Sequence, residues 1–332
     1  MTEPSTIFQL PTPVTWNRSA SLSSVFDRAL GAYLGLAIGD ALGATVEFLR
    51  PREIEARHGV HREIVGGGWL KLAPGQVTDD TTMSLALGEA LLACGAETLA
   101  RHADGRDEAG LWPRAVGDAF VRWWRGRPVD CGNTCRRGIQ RYLRDGSVAG
   151  PPSEGDGGNG ALMRNLPVLL VTLGDDAAMQ ALSMAQAHLT HHHPLSDQAT
   201  VGLGRLAQAQ LLGAPGAEVD AMARQWADAH RAFRFEPWPG RASGYVVDTV
   251  QTVLHALTTQ PDFESAVVRA VNQGDDADTT GALVGLLAGA RCGARALPAR
   301  WLRRLQPQVL RDITDQTVAL LALAREMRGL RP

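Results

Sequence analysis

The sequence predicts an all-α fold, a single compact multi-helix domain. Three observations predict it. Alanine, leucine and glycine dominate a chain of 332 residues in which 45% are hydrophobic and only 5% aromatic, a mixture that suits closely packed helices better than a β-sandwich. Apolar residues recur in pairs every four positions over long stretches. No run of alternating apolar and polar residues is long enough for a strand. Length alone would suggest about two domains, but no shift in composition marks a boundary. One domain is therefore expected over 24–332, after a poorly ordered lead-in over 1–23.

The first helix is expected at 24–44, "SVFDRALGAYLGLAIGDALGA", where Val25/Phe26, Ala29/Leu30, Tyr33/Leu34, Ala37/Ile38 and Ala41/Leu42 repeat every fourth position. Gly31, Gly35, Gly39 and Gly43 form a second stripe on an adjacent face. Glycine costs about 1 kcal/mol in a helix interior relative to alanine, so four in register imply the close approach of another helix. The same device returns at Gly281, Gly285, Gly289 and Gly293. Periodicity places further helices at 81–95, 110–125, 133–145, 177–189, 197–212, 218–232, 244–259, 262–271 and 308–328. "EIVGGGWLKLAPGQ" and "SEGDGGNGALMR" read as glycine-rich loops.

Composition excludes several classes of function. A formal net charge of −2 gives no electrostatic footprint for nucleic acid. The four cysteines, Cys94, Cys131, Cys135 and Cys292, form no CxxC pair, which fits a reduced cytoplasmic chain. "MTEPSTIFQLPTPVTWNRSA" has neither the basic start nor the apolar core of a signal peptide. No stretch reaches the roughly 18 apolar residues of a membrane span.

The chemistry lies in two polar knots that lead into apolar stretches: Thr78-Asp79-Asp80-Thr81-Thr82, and "GDDADTT" with Asp275, Asp276, Asp278 and Thr279. One such knot would read as a helix cap with acids favoured by the dipole. Two carry more acid than capping requires. If they converge, each like-charged pair at about 4 Å costs about 4 kcal/mol at an effective dielectric of 20, so a cation must offset them. Carboxylates and hydroxyls form an oxygen-only donor set suited to Mg²⁺ or Mn²⁺, with enough acids for two ions. A rival is a Mg²⁺-diphosphate enzyme of the DDxxD kind, but there the acids lie inside helices, whereas here they are expected to precede them. In "AHLTHHHPL", His188, His191, His192 and His193 raise zinc as a second rival.

Glu47, after the first buried helix, reads by itself as a solvated loop residue. Asp130 and Asn133 in "RPVDCGNTCRRG" read as a cap and the following turn, and Cys131 and Cys135 as packing. The loop with Glu154, Asp156, Gly157, Gly158, Asn159 and Gly160 enters a helix. Its N–H groups and the helix start are suited to cradle a diphosphate.

The motifs "GDALGATVEF", "TDDTTM", "GNTCRRG", "GDGGNGALMR", "THHHP" and "GDDADTTGA" occur in an order that resembles the ADP-ribosylglycohydrolase family, over nearly the whole chain. The stretches around Trp69, Asp130 and Trp238 look nearest to the branch that acts on dinitrogenase reductase. The resemblance implies an all-α, monomeric enzyme that hydrolyses the bond between ADP-ribose and an arginine side chain. It implies a dinuclear Mn²⁺ or Mg²⁺ centre held by Thr78, Asp79, Asp80, Asp276, Asp278 and Thr279, with Asp130 the first candidate for the acid/base and Glu47 the second. It places Asn133 at the ribose and target arginine, residues 157–160 along the diphosphate with Glu154 and Asp156 nearby, and His191 in the ligand pocket. It implies control by a PII-type signalling protein that draws the enzyme to an ammonium channel, so that membrane association requires a partner. Two other outcomes belong to the same family: action on a different ADP-ribosylated residue or on nucleic acid, and an inactive relative. Asp275 departs from the family pattern, which usually has glycine there.

Overall fold

A computed structural model describes residues 22–331; of the lead-in expected over 1–23, residues 1–21 lie outside the described residues, while Leu22 and Ser23 open the first helix. Among these residues are fifteen α-helices. In chain order they are α1 (Leu22–Gly43), α2 (Pro51–His58), α3 (Asp79–Ala103), α4 (Leu111–Arg125), α5 (Asn133–Asp145), α6 (Gly160–Met163), α7 (Leu166–Val171) and α8 (Asp176–His188). Then follow α9 (Pro194–Leu211), α10 (Gly216–Ala229), α11 (Val246–Thr259), α12 (Phe263–Val271), α13 (Ala277–Cys292), α14 (Ala299–Leu302) and α15 (Pro307–Leu330). The described residues form no strand, only the isolated bridges Gly67–Leu72 and Gly158–Tyr245.

The long periodic helices fall where the sequence places them. The short ones do not show in the pattern. α2 buries only Ile54 and is otherwise polar, whereas α7, LPVLLV, is buried on every side and has no period to detect. α3 outruns its expected end because the chain bends at Gly95, with φ +72°, and continues as helix to Ala103. At its other end it takes in Asp79 and Asp80, so these acids belong to the first turn and do not precede it.

The core is built on α1 and α13, both apolar on nearly all faces. α12, α11 and α9 pack on α13, while α15 and α3 pack on α1. The two glycine stripes meet backbone to backbone. A Cβ on Gly31 would lie 2.5 Å from Gly289 O, on Gly35 2.1 Å from Gly285 O, and on Gly39 2.0 Å from Gly281 O. The register runs on to Gly43, whose Cβ would meet Ala277 O at 2.1 Å. Gly293, just past the end of α13 at φ +80°, closes the contact: its carbonyl carbon would lie 2.7 Å from a Cβ on Gly31, while its own Cβ would face Asp27. Gly35→Ala is expected to destabilise the protein by about 1–3 kcal/mol, since the methyl must push two main chains apart. Gly329→Ala, with open space around its Cβ, should be neutral or stabilising by up to about 1 kcal/mol. Urea midpoints of the two variants make the comparison, and equal midpoints would contradict the close packing.

The expectation of no spanning stretch needs correction. Among the described residues, α3 is long and apolar enough to cross a membrane by length and composition. More than half of that stretch is buried inside the protein, which accounts for its apolar character by core packing.

A candidate metal and ligand site

The close pairing of α1 and α13 brings the end of α1 to the start of α13, and α3 begins beside both. Asp40 sits in the last turn of α1, fully buried. Its carboxylate accepts from Thr78 N (2.9 Å), Thr78 Oγ1 (3.0 Å), Thr81 N (3.2 Å) and Thr81 Oγ1 (2.5 Å). An acid on α1 thus caps α3 from outside, in place of the Thr78 side chain, which caps nothing in its own helix. Asp276, at the N-cap of α13, makes no side-chain cap bond either. The capping explanation of the two knots therefore fails.

The knots touch. Thr279 Oγ1 donates to Asp80 Oδ2 at 3.2 Å, and Thr78 Oγ1 stands 3.5 Å from both Asp80 Oδ2 and Asp278 Oδ2. One carboxylate oxygen each of Glu47, Asp276 and Asp278 lies within 4.8 Å of the other two. Glu47 is buried, not the solvated loop residue its isolated sequence suggests. Its Oε2 accepts from Trp69 Nε1 at 2.6 Å. The loop that carries it is tied to the second knot, since Phe48 N donates to Asp275 O (2.6 Å) and Asp275 N to Leu49 O (2.9 Å). Asp275 adopts φ +56° there and Phe48 φ +62°. That left-handed conformation costs a non-glycine residue roughly 1–2 kcal/mol, a cost that the glycine expected there from the family resemblance would not carry.

Asp130 flanks the cluster from the segment before α5. Cys131 N donates to Asp130 Oδ1 (2.7 Å) and Gly132 N to Asp79 Oδ2 (3.2 Å). Asn133 opens α5 and is exposed. Asn159 does more than line a loop: its Nδ2 donates to Asp276 Oδ2 and to Thr249 Oγ1 (2.9 Å). Its N–H is spent on Gly244 O, and Gly157 O accepts from Val246 N (2.9 Å). α6 is a single turn, so little helix dipole stands behind the loop, contrary to expectation. Asp156 is buried and paired with Arg137, while Glu154 points outward, 3.5 Å from His193 Nε2. His193 caps α9 through Leu195 N (3.1 Å), and His192 Nδ1 bonds Gly150 O (2.6 Å). With His188 on Asp197 and His191 on Thr190, the histidines face separate partners and form no zinc site.

Burial disfavours charge on Asp40, Glu47, Asp79, Asp80, Asp276 and Asp278, and for all but Asp40 neighbouring acids add to the effect. Asp40 and Asp276 are pushed up to about 6, Asp79 to about 7, and Glu47 to about 8 despite its bond from Trp69. Asp80 and Asp278 are raised well above the carboxylate range, by burial first and then by the neighbouring acids. Asp80 Oδ1 is fully buried with no hydrogen-bond partner. An orphaned carboxylate oxygen in an oxygen-only cluster fits a hard divalent cation.

Folded values above the unfolded ones, about 4, mean that the metal-free fold prefers these acids protonated. The cluster's contribution to stability is fully present below about pH 4 and is lost as pH rises through about 6 to 8. A single carboxylate displaced as far as Asp40 accounts for about 3 kcal/mol. Melting in chelator should therefore occur at lower temperature at pH 8 than at pH 5. Divalent metal should remove this difference, because its ligands must be ionised to bind. A flat pH profile without metal would contradict the crowding.

Sequence comparison agrees with this architecture. The profile of the ADP-ribosylglycohydrolase family matches residues 21–330, and the chain belongs to that family. It is 51% identical over 302 residues to the ADP-ribosyl-[dinitrogen reductase] glycohydrolase of Rhodospirillum rubrum, covering 91% of this chain and 98% of that one. It is 35% identical over 301 residues to an ADP-ribosylarginine hydrolase of Pseudomonas putida (strain GB-1), covering 84% and 74%. A solved structure described as an ADP-ribosylglycohydrolase-related protein complex superimposes with a TM-score of 0.77 at 35% identity, over 91% of this chain and all of that one.

Proposed function

We propose that this protein hydrolyses the N-glycosidic bond between ribose C1 of ADP-ribose and an arginine side chain of a protein, with dinitrogenase reductase as the substrate. The observation that carries the reading is the convergence of both acidic knots with Glu47 and Asp130, in a chain half identical to a hydrolase of that kind. Thr78, Asp79, Asp80, Asp276, Asp278 and Thr279, joined by Glu47, are the residues that would hold two divalent ions, Mn²⁺ or Mg²⁺. Bound there, such ions would supply Lewis-acid stabilisation of charge on ribose oxygens and water.

The chain's own groups divide the remaining work. The 157–160 loop and His191 hold the diphosphate side of the ligand. Asn159 ties that loop to Asp276, so ligand and acid cluster keep one geometry. Asp130, at the edge of the cluster, takes a proton from the incoming water or gives one to the departing guanidine nitrogen. Water oxygen bonds to C1 as the C1–N bond breaks, so the products are ADP-ribose and unmodified arginine. Phe48 and Trp69, both more than half exposed with rings 5.3 Å apart, stand beside Glu47 and offer aromatic faces to a cationic guanidinium.

The test compares kcat/KM on matched peptides carrying ADP-ribose on arginine or on serine. Hydrolysis of the arginine-linked peptide by at least about tenfold over the other is expected; a ratio near one would defeat the arginine assignment. Control through a PII-type protein and an ammonium channel, with a monomeric cytoplasmic enzyme, completes the proposal. Its support is the relationship to the enzyme of dinitrogen reductase. Sedimentation of the pure protein with protein-free vesicles would contradict the need for a partner at the membrane.

A further inference from the structure

The hydrogen bonds behind the glycine loop end on His191, and they fix more than its position. Arg164 is fully buried. Its Nε donates to Gln186 Oε1 (2.8 Å), and its Nη2 to Gln186 O (2.9 Å) and Thr190 Oγ1 (2.8 Å). The guanidinium lies over the Phe120 ring, 4.5 Å from its centre. An arginine can only donate, so Thr190 Oγ1 accepts. The hydroxyl proton then needs an acceptor of its own. Thr190 is 2% exposed, and the neighbour within reach is His191 Nδ1 at 2.8 Å. A hydroxyl accepting from both sides would leave its proton buried without a partner, which is costly. Nδ1 therefore accepts, and the ring proton sits on Nε2.

Nε2 faces the loop. A Cβ on Gly158 would lie 3.1 Å from it, and a Cβ on Gly160 2.8 Å from Cε1 and 3.2 Å from Nε2. Glycine at both positions keeps the approach to this nitrogen open. His191 is 2% exposed, and its Nε2 makes no hydrogen bond within the described residues.

Resting on the reading that this loop holds the diphosphate side of ADP-ribose, we propose that Thr190 and Arg164 are positioning residues that lock His191 in the Nε2–H tautomer, so that a neutral donor faces an anionic oxygen of the ligand. Burial, with Arg164 and Arg137 nearby, keeps the imidazole well below its ordinary pKa, so the ring presents one N–H and no charge. A neutral donor discriminates by direction, which an exposed lysine would not.

The experiment is a long-range proton–nitrogen correlation spectrum of full-length, metal-loaded protein labelled with ¹⁵N-histidine. The His191 signals are assigned by their loss in His191→Gln. An unprotonated Nδ1 and a protonated Nε2 are expected throughout about pH 6–8. Thr190→Val should give mixed tautomers and weaken ADP-ribose binding, measured by calorimetry, about tenfold, and Thr190→Ser should restore both. A protonated Nδ1 in the unmodified protein would overturn the proposal even if the valine variant does not fold. So would a valine variant that keeps both the tautomer and the affinity. The spectrum requires no turnover, so failure to hydrolyse arginine-linked ADP-ribose would sink the proposed activity while the tautomer is judged separately.

Discussion

Stripping divalent metal with EDTA is expected to abolish release of ADP-ribose from arginine and to lower the melting temperature by roughly 5–10 °C; Mn²⁺ or Mg²⁺ should restore both. The thermal effect follows from binding linkage. A ligand that binds only the native state at about 100 to 1,000 times its dissociation constant adds roughly 3–4 kcal/mol, which in a chain of this size is a shift of that order. The site sets the direction. Glu47, Asp276 and Asp278 bring oxygens within 4.8 Å of one another, and Asp80 Oδ1 has no partner in the protein. Without cations the cluster must hold protons or open. Full turnover in excess chelator, with no metal by elemental analysis, would overturn both the metal assignment and the explanation of the two knots.

Asp130→Asn is expected to reduce kcat by about 10²- to 10⁴-fold, the range a positioned acid or base contributes, with metal content nearly unchanged. Asp130 lies outside the close cluster, yet near enough to push up Glu47, Asp79 and Asp276. Asparagine keeps the shape and the acceptor for Cys131 N–H while removing the proton-transfer capacity. Metal analysis and single-turnover rates separate the outcomes. Unchanged turnover would move the acid/base role to Glu47, and loss of metal would make Asp130 part of the metal scaffold.

What the sequence made legible is what repeats. The glycine stripes announced that α1 and α13 each take a close helix neighbour, because four glycines in register have few other uses in a buried helix; that each is the other's neighbour is visible only in the fold. The doubled acidic knots carried more acid than capping needs, and the family resemblance implied that they share one site. Asp40 was harder to see, though a carboxylate next to Gly39 in an otherwise apolar helix is a signal; its partners Thr78 and Thr81 lie across a loop that no periodicity describes. Glu47 read as solvated because burial of a loop residue depends on what folds over it, here Trp69 and the backbone of Asp275. Asn159 was assigned to the ligand loop through its backbone, whereas its side chain serves Asp276. Arg164 gave no local hint, since its partners Gln186 and Thr190 are distant in sequence.

The pairing of α1 with α13 also orders events during synthesis. The first knot ends at Thr82 and the second begins at Asp275, so at about 5–20 residues per second the ribosome delivers them roughly 10–40 s apart. Through that interval α1 has no partner for its glycine face, and the acids of the first knot remain hydrated half-ligands with nothing to complete them. α3, apolar enough to be mistaken for a membrane span, gains α4, α7 and α8 as they emerge, but its contact with α15 comes only after α13. The glycine face of α1 therefore stays open until α13 is made, and a divalent ion that needs both knots could be held only from that point on.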